Sequence, residues 1–228
     1  MKCLVLVSGG LDSTVALAKA VNLYGKENVV ALSISYGQKH IKEIEASNNV
    51  CKYYGVEHLY LDLGAIFKYS NCSLLTNSTN EIPLESYEEQ LKSQNGTPVT
   101  TYVPFRNGLF LSSAASIAIS KDCNLIYYGA HKDDAAGNAY PDCSCDFNEA
   151  INKAIYIGSG NQVKVEGPFV DISKKDIVKL GKSLNVPFGL TWSCYQGHDK
   201  ACGKCGTCID RKAAFLANGM TDPIEYEE

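Results

Sequence analysis

The chain has 228 residues, 45% of them hydrophobic, with 21 basic and 25 acidic side chains. This composition is typical of a globular protein and excludes collagen-like, coiled-coil and disordered classes. A formal net charge of −4 disfavours general nucleic-acid binding, because phosphate backbones attract basic surfaces. We therefore predict a single domain over residues 1–228 that has no direct nucleic-acid partner.

The N-terminal residues 1–10 contain only five consecutive apolar residues, too few for the apolar region of a secretory signal. No apolar run elsewhere reaches the length of a membrane helix. We expect a cytoplasmic protein without a membrane partner. In that reducing compartment the ten cysteines are expected to be thiols or metal ligands rather than a disulfide framework.

Hydrophobic periodicity predicts alternating strands and helices along the first part of the chain. Predicted strands cover residues 3–7, 29–35 and 58–63, and predicted helices cover about 12–24 and 38–54. This alternation favours βαβ crossovers. We therefore predict an α/β fold with a Rossmann-like parallel sheet and helices on both of its faces.

The periodic pattern fails from about residue 64 to residue 101, where polar residues dominate. A run of this length without regular elements is typical of a functional insertion or a lid. Beyond it, the pattern predicts a strand over residues 125–130. Predicted helices cover residues 108–120, 147–157, 174–184 and about 207–218.

A glycine pair joins the first predicted strand to the first predicted helix, where open α/β sheets bind ligands. Glycines and free helix N–H groups suit phosphate, although a plain tight turn capped by Asp12 or Ser13 is the alternative. The carboxylate of Asp12 suggests a bridging Mg²⁺ or simple helix capping. The predicted phosphate-binding residues are Ser8, Gly9, Gly10, Leu11, Asp12, Ser13 and Thr14.

Four cysteines are closely spaced near the C-terminus: Cys194, Cys202, Cys205 and Cys208. Four thiolates suit one tetrahedral zinc ion, and a structural zinc would attach the last helix to the body of the protein. An iron–sulfur cluster is the alternative. We predict one structural Zn²⁺ per chain, bound in a helical C-terminal extension at about residues 187–228.

The run from Ser8 to Ser13 resembles the signature of PP-loop ATP pyrophosphatases, which cleave ATP between its α and β phosphates. Four further segments, at residues 103–107, 129–134, 140–143 and 192–208, occur in the order and spacing of the 7-cyano-7-deazaguanine synthase family. We identify the chain as a member of that family from this resemblance.

The resemblance implies a ligase that converts 7-carboxy-7-deazaguanine and ammonia to 7-cyano-7-deazaguanine (preQ0) in queuosine biosynthesis. It implies adenylated carboxylate and amide intermediates, and ATP with Mg²⁺ that is consumed to AMP and pyrophosphate. It also implies a homodimer.

Several residues of these segments fit such chemistry. A guanidinium at Arg106 suits phosphate or carboxylate, with a surface salt bridge as the alternative. The resemblance implies that Lys174 faces the phosphates, with a solvated surface lysine as the alternative. His131 is either a proton carrier or a hydrogen-bonded loop histidine. The predicted catalytic residues are Asp12, Arg106, Lys174 and His131.

Three aspartates and a tyrosine are the predicted substrate residues. Asp133, Asp134 and Asp142 would accept hydrogen bonds from a guanine-like base or hold Mg²⁺. Tyr140 would stack on the base or pack within the protein.

Two other functions stay open at this stage. One is another PP-loop enzyme that modifies tRNA by thiolation or lysine transfer, which would need a basic tract that the sequence lacks. The other is a non-catalytic zinc-binding module, which would not turn over ATP.

Overall fold

The computed structural model describes residues 1–93 and 97–227 and contains a parallel sheet. Within the described residues the sheet has five strands in the order β3-β2-β1-β4-β5, and every neighbouring pair is parallel. The predicted α/β fold is confirmed. The strands are β1 (Cys3–Leu6), β2 (Val29–Ser35), β3 (Glu57–Asp62), β4 (Leu125–Tyr127) and β5 (Lys164–Glu166).

Helices cover both faces of this sheet. The long helices are α1 (Leu11–Tyr24), α2 (Lys42–Tyr54), α5 (Arg106–Ser120), α7 (Cys145–Gly158), α8 (Lys174–Ser183) and α9 (Gly206–Leu216). The short helices are α3 (Gly64–Phe67), α4 (Tyr87–Ser93) and α6 (Lys132–Ala135). No helix among the described residues combines the length and the hydrophobicity needed to cross a membrane.

The central strand β1 is buried on both faces, so its side chains divide between two cores. Cys3 and Val5 pack with α1, α8 and the end of α9, whereas Leu4 and Leu6 pack with α5 and α7. A parallel sheet covered on both faces requires such continuously apolar strands. Each fully buried side chain of this kind contributes about 1.5–3 kcal/mol.

The strand β5 was not predicted. Its sequence is Lys-Val-Glu, and only the central Val165 is buried. Three residues with one apolar side chain carry no periodic signal, so pairing with β4 rather than local pattern makes this segment a strand.

The expectation of no regular elements over residues 64–101 was wrong, because α3 and α4 lie there. Residues 94–96 of this stretch lie outside the described residues. A small separate core forms beneath it, in which Phe67, Leu74 and Leu75 pack with Tyr36 and Val103. Few and scattered apolar residues build this core, which is why the polar composition concealed it.

Candidate active site

The loop from β1 to α1 is held by its own hydroxyl groups. The Ser13 hydroxyl donates to the Gly10 carbonyl (3.1 Å) and accepts from the Ser8 backbone N–H (3.2 Å). The Thr14 hydroxyl also donates to the Gly10 carbonyl, at 2.8 Å. These bonds fix the loop at the carboxyl edge of the sheet and leave the start of α1 facing the neighbouring cavity.

Gly9 is the position in this loop that only glycine fits. Its φ is +86°, and a Cβ there would lie 2.4 Å from the Glu43 carbonyl oxygen and 2.5 Å from the Ser47 nitrogen. The Gly9 carbonyl accepts a bond from the Trp192 N–H at 2.9 Å. The loop is therefore pressed between the first turns of α2 and the segment that leads to the cysteines.

A buried ion pair lies at the start of α1. Lys174 Nζ lies 3.2 Å from Asp12 Oδ2. Burial alone would raise the pKa of Asp12, but the charges of Lys174 and His131 bring it below its usual value of 3.8. Both groups of the pair therefore stay charged at neutral pH.

His131 lies under these charges and is almost completely buried, with 1% of its surface exposed. Its Nε2 atom is 3.3 Å from Asp134 Oδ1 and 3.8 Å from Asp12 Oδ2, without hydrogen-bond geometry to either. Asp12 Oδ1 is also buried without a hydrogen bond in the described part of the chain. The cluster thus carries polar atoms that a ligand could satisfy.

Arg106 begins α5 on another wall of the cavity. Its guanidinium lies 5.1 Å above the ring centre of Tyr36 and donates to the Tyr36 hydroxyl at 3.3 Å. Glu43, from the first turn of α2, lines the same cavity. Burial raises the pKa of Glu43 to about 7, and Arg106 offsets part of that effect.

The site residues predicted from the sequence meet at one cavity of about 210 Å³, but some of them do not line it. Among the predicted residues, those that line it are Ser8, Gly10, Leu11, Asp12, Ser13, Arg106, Asp134, Tyr140 and Lys174. Gly9, Thr14 and His131 lie behind this surface. Asp133 and Asp142 also lie outside the lining.

The two aspartates outside the lining bind helix starts. Asp133 Oδ2 accepts from the Lys174 backbone N–H at 2.8 Å, and Asp142 Oδ2 accepts from the Asn107 backbone N–H at 2.8 Å. A carboxylate at a helix N-terminus satisfies free N–H groups and the helix dipole. These two carboxylates therefore orient α8 and α5, which carry Lys174 and Arg106.

Tyrosines form the wall between the insertion and the cysteine segment. The hydroxyls of Tyr87 and Tyr195 are 2.9 Å apart, and the Tyr140 hydroxyl lies 2.6 Å from Thr101 Oγ1. Tyr87 also packs edge-to-face on Tyr140. The cavity thus has aromatic side chains in its wall.

The four cysteines predicted to bind metal come together in the structure. Their sulfur atoms all lie within 4.8 Å of one another, and all four residues are buried. Backbone N–H groups of Gln196 and Cys202 point at Cys194 Sγ, at 3.4 and 3.3 Å. Sulfurs about 3.8 Å apart surround a tetrahedral zinc with 2.3 Å bonds, so this set can hold a metal ion.

Helix α9 begins directly at this cluster and is attached to the body by Arg211. That side chain is fully buried, pairs with Asp222 through two bonds of 2.7 and 2.9 Å, and donates to Thr191 Oγ1 at 2.7 Å. Thr207, in the first turn of α9, lines the cavity. The cysteine cluster therefore positions one wall of the site.

Sequence reasoning missed several residues of the site. Glu43, Tyr87 and Tyr195 line the cavity, and Arg211 braces its wall. Glu43 lies in a helix with several other charged residues, and nothing in the local sequence distinguishes it from a solvent-exposed glutamate. Arg211 carried one signal, since an arginine on an otherwise apolar helix face needs a buried partner.

Comparison with known proteins identifies the family. The model of the family described as "Queuosine biosynthesis protein QueC" matches residues 2–219. The 7-cyano-7-deazaguanine synthase of Archaeoglobus fulgidus is 42% identical over 229 residues, which cover 100% of this chain and 91% of that protein. The enzyme of the same name from Caldicellulosiruptor saccharolyticus is 42% identical over 100% of this chain and 96% of its own length.

A solved structure shares the fold at low identity. NMN synthetase from Francisella tularensis superposes with a TM-score of 0.51 and 16% identity, over 96% of this chain and 78% of that one. This likeness supports the fold alone, whereas the family match covers nearly the whole chain. The chain belongs to the QueC family of queuosine biosynthesis proteins.

Proposed function

We propose that the chain is an ATP-dependent ligase that converts 7-carboxy-7-deazaguanine and ammonia to 7-cyano-7-deazaguanine (preQ0). The family match over residues 2–219 carries this proposal. Relatives that align over 91% and 96% of their length bear the name of this product. The phosphate loop and the cavity beside it supply the matching geometry.

The reaction consists of two activations. The substrate carboxylate attacks the α-phosphorus of ATP, and pyrophosphate leaves. Ammonia attacks the acyl carbon, a C–N bond forms, the C–O bond to AMP breaks, and the amide results. A second ATP adenylates the amide oxygen, and pyrophosphate leaves. The nitrogen then loses both of its protons, the C–O bond to AMP breaks, and the nitrile remains. Two ATP therefore give two AMP and two pyrophosphate.

Different walls of the cavity suit the pyrophosphate of ATP and the carboxylate of the substrate. The N–H groups at the start of α1, with Ser8 and Ser13, suit pyrophosphate. Lys174 adds a positive charge beside them. Arg106 lines another wall, where a guanidinium suits the substrate carboxylate.

The carboxylates of Asp12 and Asp134 fit a magnesium ion between the protein and the phosphates. Both line the cavity, and Asp12 Oδ1 is buried without a hydrogen bond. When bound there, Mg²⁺ would neutralise charge on the phosphates. His131 lies beneath these carboxylates, with its Nε2 atom 3.3 Å from Asp134 Oδ1 and 3.8 Å from Asp12 Oδ2.

The aromatic side of the cavity suits a planar base. Tyr140 and Tyr195 line it, and their rings can stack on such a base. Asp133 and Asp142 do not contact the base in this proposal. They position the helices that carry Lys174 and Arg106.

Zinc is the metal we propose for the cysteine cluster, in a structural role. Four closed thiolate ligands suit Zn²⁺. In an iron–sulfur cube each thiolate binds a different iron atom, which would need wider spacing than sulfurs within 4.8 Å of one another.

We further propose a cytoplasmic homodimer. None of the ten cysteines forms a disulfide, which fits a reducing compartment. The homodimer rests on the family resemblance, and light scattering on the purified protein tests it.

The test of the function incubates purified protein with ATP, Mg²⁺, ammonium and 7-carboxy-7-deazaguanine. Mass spectrometry should find the nitrile and AMP. Omission of the deazaguanine should abolish AMP formation. AMP formed only in the presence of tRNA would indicate a tRNA-modifying enzyme, and folded, metal-loaded protein that makes no AMP would indicate a binding module.

A further inference from the structure

The proposed reaction needs a group that takes a proton from its nucleophile. In neutral solution ammonia is almost entirely ammonium, whose nitrogen has no free electron pair. A proton acceptor beside the acyl carbon therefore has to act before the C–N bond forms. Among the residues predicted from the sequence, the carboxylates that line the cavity are Asp12 and Asp134, which face Lys174 and His131 respectively.

Glu43 lies between the two sides of the site described above. Its backbone touches the phosphate loop, since a Cβ on Gly9 would lie 2.4 Å from the Glu43 carbonyl. Its side chain lines the cavity and interacts with the charge of Arg106. The carboxylate thus faces the place where a substrate carboxylate on Arg106 would meet the α-phosphate.

This carboxylate is uncommitted in the described part of the chain. It makes no hydrogen bond and no ion pair there, whereas Asp12 is bound to Lys174 and Asp133 and Asp142 bind helix starts. A half-buried carboxylate without a protein partner is free to accept a proton from a ligand.

Charged and titratable groups around Glu43 decide whether its carboxylate can exchange a proton with a ligand. Arg106 on α5 and the phenol of Tyr36 after β2 interact with it directly. Lys42, on the same helix, is turned towards Asp199 and the Trp192 ring. The other charged or titratable side chains that line the cavity are Asp12, Tyr87, Tyr128, Asp134, Tyr140, Cys143, Lys174 and Tyr195. His58 lies behind Ser33, whose hydroxyl is 2.8 Å from its Nε2 atom.

We propose that Glu43 is the catalytic residue that binds ammonium in the cavity and takes one proton from it. The nitrogen then attacks the acyl carbon of the adenylate, and the C–O bond to AMP breaks. The amide nitrogen keeps two protons, and the remaining one leaves with AMP to solvent. This inference rests on the proposed function.

The test compares Glu43→Gln with Glu45→Gln, the same substitution at an exposed position of the same helix. Exchange of labelled pyrophosphate into ATP, in the presence of 7-carboxy-7-deazaguanine and without ammonium, measures adenylation alone. Glu43→Gln should retain this exchange. Its kcat/KM for ammonium should fall about 100-fold, in the range of a lost general base.

The pH profile gives a second readout. In the wild type, kcat/KM for total ammonium should rise with pH and level off near the Glu43 pKa of about 7. In Glu43→Gln this break should disappear, so that the rate follows the free ammonia fraction. Glu43→Asp keeps the carboxylate and should restore the break with partial activity, including where the glutamine variant folds poorly.

Two results would overturn the inference while leaving the proposed function intact. One is unchanged ammonium dependence in Glu43→Gln. The other is loss of pyrophosphate exchange with a raised KM for 7-carboxy-7-deazaguanine, which would mean that Glu43 binds the deazaguanine substrate. Wild-type protein without exchange or product would instead contradict the proposed function.

Discussion

Gly9 lies where the phosphate loop crosses the first turns of α2, so its lack of a side chain is a steric requirement. We expect Gly9→Ala to lower the free energy of unfolding by roughly 3 kcal/mol, since a left-handed φ of +86° and contacts under 3 Å both oppose a Cβ. Urea unfolding measures this loss, and AMP formation should fall with it.

The matched control is Gly219→Ala. Gly219 has a φ of +64° but no atom within 4 Å of its added Cβ, so only backbone strain of about 1 kcal/mol applies. Equal losses in the two variants would show that the close approach of α2 to the loop carries no energy.

Lys174 keeps Asp12 ionised at the start of α1. We expect Lys174→Gln to destabilise the protein at pH 7 by about 3 kcal/mol, because it leaves a buried carboxylate without its partner. The pKa of Asp12 is lowered in the folded protein, so this stabilisation is complete above 3.8 and is lost as pH falls further.

The pH dependence distinguishes this pair from ordinary packing. The difference in unfolding free energy between wild type and Lys174→Gln should be largest near neutral pH. It should shrink as pH falls through the pKa of the unpaired Asp12 carboxyl, which burial raises in the variant, towards the lowered pKa in the wild type. Urea titrations at several pH values measure it. A difference that does not change with pH would mean that the lost stability comes from packing of the aliphatic part of the Lys174 side chain and not from its charge.

The cysteine cluster acts at the scale of an element, because it fixes the start of α9. We expect Cys205→Ser to lose the bound metal and to unfold at a lower urea concentration. Nitrile formation should also fall, because Thr207 and Arg211 belong to α9 and depend on its position. Elemental analysis should find about one zinc per wild-type chain.

Cys145→Ser is the control for this experiment, because Cys145 is exposed and lies outside the cluster. It should keep its metal and its stability. Iron in place of zinc would contradict the metal assignment. Full activity in metal-free protein would show that activity does not depend on how the metal positions α9.

The elements that the sequence predicted are those whose local pattern and tertiary role agree. Helix α1 was predicted over residues 12–24 and is observed at Leu11–Tyr24, because its apolar face and Gly25 both act locally. Strand β5 and helices α3 and α4 are set by long-range pairing and packing, which no short window contains.

The site shows the same division at the scale of the whole molecule. Contiguous motifs marked the loop between β1 and α1, which lines the cavity, and the four cysteines, which come together, because the spacing of both motifs is local. Glu43 and Tyr87 reach the cavity from α2 and from the insertion, so only the folded chain brings them to Arg106. The sequence could not show that Asp133 and Asp142 bind helix starts.

The net charge of the whole chain makes its own prediction. With 25 acidic and 21 basic side chains, the protein should bind tRNA no more tightly than about 100 μM at physiological salt. Fluorescence anisotropy with labelled tRNA measures this affinity, and added tRNA should leave nitrile formation unchanged. Micromolar binding that weakens steeply with salt would indicate a basic surface that the charge balance conceals. Because a free base carries no phosphates, binding of 7-carboxy-7-deazaguanine should depend only weakly on salt by comparison.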